Sequence, residues 1–164
     1  MSSQAKSDDV KIITVKVIGG EVPGTALSTK VGPLGVPAKL VGEDIRKSTG
    51  DYKGLRVHVK LSIKDRKATV EVTPSTATLI IKALREPVRD RKKEKNVLHS
   101  GSLKMTDIIE IARKKLPDSQ CKTLRSVVKC VLGTCLSVGC KVDGKNPKEV
   151  IKEINEALIK IPEH

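Results

Sequence analysis

Residues able to do chemistry are few in this chain of 164 residues, and their spacing does not suit catalysis. The three histidines, His58, His99 and His164, fall in a strand-like run, a loop and the C-terminal tail, and none belongs to a recognisable catalytic motif. The four cysteines, Cys121, Cys130, Cys135 and Cys140, are separated by eight, four and four residues. That spacing holds no CxxC pair of a zinc knuckle or dithiol redox site, so they read as small, reduced core residues in a cytosolic setting. No GxxxxGK[ST] cradle for phosphate, no HExxH zinc pair and no GxSxG nucleophile turn occurs. Carboxylates such as Glu43, Asp44, Asp107 and Glu110 are placed as solvated faces and helix caps are. The expectation is a protein with no catalytic residue, no metal and no cofactor.

Binding chemistry is better represented. Arg89, Arg91, Lys92, Lys93, Lys95 and Asn96 lie in a stretch with neither helical nor strand period. Such a run binds phosphates by releasing counterions and can order on its partner, or it is simply a solvated loop. A second feature is Gly133 within a segment that otherwise reads as helix, since glycine there costs about 1 kcal/mol relative to alanine. With Thr134 and Ser137 beside it, a missing side chain would let a nucleic-acid backbone come near enough for hydrogen bonds; close helix-helix packing through small residues explains it equally well. Tyr52 is the single aromatic residue, so base stacking is not the method. Shape, phosphates, hydroxyls and backbone groups remain.

The elements that must position these residues divide at Pro74. Residues 10–18 have the β-branched richness of a strand ended by Gly19 and Gly20. Prolines 23, 33 and 37 and glycines 24, 32 and 35 predict a loop over residues 21–37, then a helix over 38–49 with Leu40, Val41 and Ile45 as its apolar face. Strict alternation of Leu55, Val57, Val59, Leu61 and Ile63, a polar turn at residues 65–67 and a return over 69–72 predict a hairpin. Its other face carries Arg56, His58 and Lys60. After residues 73–75 the period becomes helical, predicting helices over 76–84, 105–115 (stopped by Pro117), 121–138 and 147–158, the last capped by Asn146 with Pro147 at its first position. The fold class expected is α+β: an N-terminal α/β domain with a small sheet at 1–74, including a polar, disordered leader at 1–9, and a helical C-terminal domain at 75–164.

Lys and Arg number 32 against 19 Asp and Glu, a net charge of +13, which calls for a polyanionic partner. Nucleic acid fits; an anionic membrane does not, because residues 147–158 mix Glu149, Glu153 and Glu156 with their lysines. Nor does any apolar run approach the ~18–20 residues of a membrane span, and the polar start is unlike a signal peptide. The protein is expected to be soluble and unexported, with no small-molecule substrate.

Lys129, Val131, Gly133, Thr134, Ser137, Val138, Gly139, Val142 and Asp143 together match a specific signature: basic or Asn, aliphatic, Gly, Ser or Thr, small polar, aliphatic, Gly, aliphatic and acidic at fixed spacing. On this signature the chain resembles the universal stalk-base protein family of the large ribosomal subunit, number eleven in bacterial and number twelve in eukaryotic naming. The likeness covers nearly the whole chain: residues 30–35 resemble the family's proline-glycine segment and residues 72–75 its interdomain hinge, while residues 90–96, 99–101 and 142–147 are similar to its eukaryotic cytosolic branch. Thr29 and Lys30 stand where bacterial members carry a Pro-Pro pair.

The resemblance implies a structural ribosomal protein that binds the rRNA of the GTPase-associated centre and supports elongation-factor function in translation, with the helical C-terminal domain at 75–164 as its RNA-binding domain. Lys129, Gly133, Thr134, Ser137, Val138 and Gly139 would line the RNA contact, and the loop carrying Arg89 to Asn96 would order against phosphates. Lys30, Val31, Gly32 and Pro33 would face rRNA and factors from the N-terminal domain. Stalk proteins and elongation factors are the further partners implied, and the cytosolic ribosome, after nuclear or nucleolar assembly, is the implied location. The rival reading is a basic nucleic-acid-binding protein acting off the ribosome.

Overall fold

Alternation along the first strand decides the architecture of the N-terminal unit. The computed structural model describes residues 10–87 and 99–162; the leader at 1–9, the basic run from Arg89 to Asn96 and His164 lie outside them. Strand β1, Lys11–Ile18, turns Val15 and Val17 into a core and leaves Lys11, Thr14 and Lys16 outside. It pairs antiparallel with β2, Arg56–Lys64, which pairs antiparallel with β3, Lys67–Thr73, giving a three-stranded sheet in the order β1-β2-β3. Val15 faces Val59 and Val17 faces Val57, so the inward sets stay in register. Asp65 and Arg66, at φ 49° and 61°, form the two-residue connection, a left-handed pair that suits the strand twist.

Two helices complete this core. Helix α2, Ala38–Ser48, buries Val41 and Ile45. Leu40, expected on the same face, is 61% exposed, because only the i, i+4 pair of Val41 and Ile45 can point inward together. The loop expected at residues 21–37 instead contains helix α1, Thr25–Val31, and a turn of 3-10 helix, Gly32–Leu34. The breakers stand outside α1: Pro23 and Gly24 precede it and Gly32 and Pro33 follow, while Leu27 and Val31 anchor it in the core. Gly19 ends β1 for a steric reason, since a Cβ there would stand 2.1 Å from the Tyr52 carbonyl oxygen.

The chain divides into compact units Met1–Ser75 and Thr76–His164. In the second, α3 (Thr76–Leu84), α4 (Met105–Lys115), α5 (Leu124–Val138) and α6 (Pro147–Asn155) share one apolar core that includes Ile80, Ile108, Leu132 and Ile154. A short parallel pair joins β4, Ser102–Leu103, to β5, Lys141–Val142. Helix α5 starts at Leu124 rather than residue 121, because the Thr123 side chain caps it by accepting from the Ser126 N–H. Asn146 caps α6 by accepting from the Lys148 N–H at 3.0 Å. That helix stops at Asn155 rather than 158, the chain leaving through Ala157 at φ 59°. Among the described residues no helix is long and apolar enough to cross a membrane.

Candidate nucleic-acid interface

Helix α5 has two unlike faces. Leu124, Val127, Val128, Val131, Leu132 and Cys135 are buried against the other helices of their unit. The opposite side brings together half-buried Lys129 and Thr134 with exposed Cys130, Gly133 and Ser137, residues three and four apart and therefore neighbours on the surface.

Gly133 separates the two explanations of its own presence. Among the described residues a Cβ placed there would find nothing within 4 Å, so no described helix packs against the glycine, which weighs against the packing explanation. What remains is a smooth patch of helix open to an outside partner, where polar groups can approach the backbone closely. The Thr134 hydroxyl donates to the Cys130 carbonyl at 3.1 Å and is thereby held in place with its oxygen still able to accept. Gly139 serves the helix end instead. At φ 90° it is the left-handed C-cap of α5, its N–H donating to the Cys135 carbonyl at 2.9 Å. Val138 is half-buried and packs against the core, so it anchors the end of the helix from below. Exposed hydroxyl, exposed backbone and a lysine together suit the ribose hydroxyls and phosphates of folded RNA.

The stretch carrying Arg89 to Asn96 lies between Pro87 and His99, the described residues on either side of it; the Glu86 carboxylate and His99 Nδ1 stand within hydrogen-bond distance of each other, both side chains largely buried. In the N-terminal unit Lys30 is exposed and its Nζ donates to the Thr14 carbonyl at 3.2 Å. Gly32 and Pro33 are exposed as well, whereas the Val31 side chain is fully buried and supports the segment from inside.

The expectation that all four cysteines are core residues fails at one position. Cys135 and Cys140 are buried and Cys121 half-buried, but Cys130 is exposed on the α5 face just described. Its place three residues before Gly133 and four before Thr134 was the sequence signal for that face. Among the described residues no group of three His, Cys, Asp or Glu side chains stands close enough to hold a metal. His58 lies half-buried on the outer side of β2, and Asp107 caps α4 by accepting from the Lys104 N–H at 3.3 Å.

Two family profiles match the chain: "Ribosomal protein L11, N-terminal domain" over residues 13–68 and "Ribosomal protein L11, RNA binding domain" over residues 72–142. The chain belongs to the ribosomal protein L11 family. Large ribosomal subunit protein uL11 of Encephalitozoon cuniculi (strain GB-M1) is 61% identical over 165 residues, 99% of each chain. The uL11A protein of Schizosaccharomyces pombe is 55% identical over 157 residues, 95% of each chain, and uL11 of Candida albicans 53% over 158 residues, 96% of each. The L11 identity is that of a structural protein of the eukaryotic type, not an enzyme. Both L11 domains are present, and the RNA-binding one contains the whole of α5 together with Gly139.

Proposed function

We propose that this chain, a structural rRNA-binding protein of the large ribosomal subunit, stands at the base of the ribosomal stalk and holds the rRNA of the GTPase-associated centre. The observation that carries the reading is the open glycine of α5: a helix accepts the cost of Gly133 with no packing partner among the described residues, as it would for contact with an outside backbone. Around it Lys129, Thr134 and Ser137 supply charge and hydroxyls, while Val138 and Gly139 fix the helix end.

In this reading the basic residues Arg89, Arg91, Lys92, Lys93 and Lys95, with Asn96, add phosphate contacts. Lys30, Gly32 and Pro33 meet rRNA and elongation factors from the N-terminal unit, with Val31 as their buried support. Residues 73–75 act as a hinge that lets this unit move as translational GTPases arrive, next to the stalk proteins. The protein works on cytosolic ribosomes after joining them in the nucleus or nucleolus.

Binding of the recombinant protein to the isolated GTPase-centre rRNA fragment, against an RNA duplex of equal length across a salt series, tests the reading. Selective binding that persists at high salt is the expected result. Equal, salt-labile binding to both RNAs would reduce the protein to a basic nucleic-acid binder acting off the ribosome. A crosslink across the hinge should reduce factor-dependent GTPase stimulation; unchanged stimulation overturns the moving-unit part.

A further inference from the structure

The sulfur atoms of Cys121 and Cys130 lie 4.0 Å apart, and Cys130 is exposed beside Gly133. Closing them to the ~2.05 Å of a disulfide needs a movement of about 2 Å. Cys130 is fixed on α5, but residues 119–123, which carry Cys121, belong to no helix or strand, so the movement can come from there. The other two thiols are placed differently. Cys135 and Cys140 are both buried, with at most 2% of either residue exposed, which shields the pair from an oxidant in solution.

We propose that Cys121 and Cys130 are a dithiol oxidation site on the rim of the rRNA-binding face, closing to a disulfide in the protein free of RNA and covered when rRNA is bound. The proposal rests on the reading of the exposed α5 face as the rRNA contact. Burial and the adjacent Cys121 sulfur push the Cys130 thiol up, which disfavours Cys130 as the first nucleophile. The oxidant is a hydroperoxide. The Cys121 thiolate attacks its terminal oxygen, the O–O bond breaks, and an alcohol, or water from hydrogen peroxide, leaves after taking a proton. Cys130 sulfur then attacks the sulfenic sulfur of Cys121: the S–S bond forms, the S–O bond breaks, and the departing hydroxide takes the Cys130 proton as water. Two thiols lose two electrons and the hydroperoxide gains them. Glutathione and thioredoxin reverse such a bridge in the cytosol, so it would distinguish unassembled protein under oxidative stress from assembled protein.

The test uses the full chain, reduced and freed of reductant, then exposed to one equivalent of hydrogen peroxide with and without saturating GTPase-centre rRNA fragment. Free protein is expected to fall from four free thiols to half that number, with peptide mapping linking Cys121 to Cys130. Bound RNA is expected to slow this at least about tenfold. Cys121→Ser and Cys130→Ser, at positions that are not fully buried, should each fold and each abolish the internal link. A link involving Cys135 or Cys140, or sulfinic acid without any link, overturns the proposal. RNA affinity is read on the same samples: RNA that binds without protecting overturns the placement of Cys130 beneath it. RNA that fails to bind, with the link still forming, overturns the interface reading and leaves the dithiol site standing.

Discussion

Gly133 lies inside a fifteen-residue helix, where alanine would add stability, and none of the described residues stands within 4 Å of the missing side chain. Stability and binding should therefore separate at this residue. Gly133→Ala is expected to stabilise the C-terminal unit by about 0.5–1 kcal/mol. Gly133→Leu should leave the fold intact yet lower affinity for the GTPase-centre fragment about tenfold, ~1.4 kcal/mol. Thermal unfolding alongside filter binding checks both, and a parallel loss of stability and affinity would restore the packing explanation. Gly19 behaves in the opposite way, because its added methyl would meet the Tyr52 carbonyl at 2.1 Å. Gly19→Ala should cost about 1–3 kcal/mol in urea unfolding, since backbone rather than a flexible side chain must move. Sequence alone marked both glycines but could not tell them apart, because the difference lies in what surrounds each one. The same limit applied to Cys130: a cysteine next to the apolar Val131 reads as core until the helix phase shows it facing out.

Elements were legible where a long period repeats. The hairpin of β2 and β3 and the helices α3 and α4 fall where alternation and i, i+4 spacing put them. Short elements were not. In α1 a single pair, Leu27 and Val31, carries the helical signal inside a segment dense in Pro and Gly, and β4 and β5 are too brief to show any period. Caps can be tested directly. Asn146→Ala removes the side-chain acceptor for the Lys148 N–H and should cost about 1 kcal/mol, read as a lower thermal midpoint, while Asn146→Ser should recover most of it. In the sheet, Lys64 and Lys67 stand directly opposite each other across the hairpin, a like-charge placement that disfavours the pair. Lys67→Glu should raise stability by about 0.5 kcal/mol in urea unfolding, with the gain fading as salt is added.

At the scale of the whole molecule the net charge of +13 spreads over both units, with 13 basic and 8 acidic residues up to Pro74 and 19 and 11 after it. Composition alone therefore predicts attraction to any polyanion without saying which charges meet phosphate. The salt slope of binding can say so, because each phosphate neutralised adds about 0.7–0.9 to the slope of log K against log salt. If the residues between Glu86 and His99 grip rRNA, neutralising Arg91, Lys92, Lys93 and Lys95 together should reduce the slope by roughly 3–4. Neutralising Lys16 and Lys60, on the outer face of the N-terminal sheet, should leave it nearly unchanged, since in the proposed reading the C-terminal unit makes the grip. A drop of equal size from both sets would mean that the RNA responds to overall charge. An unchanged slope from the first set would make that basic run a solvated loop and leave the α5 face to hold the RNA by shape and hydrogen bonds, which salt weakens little.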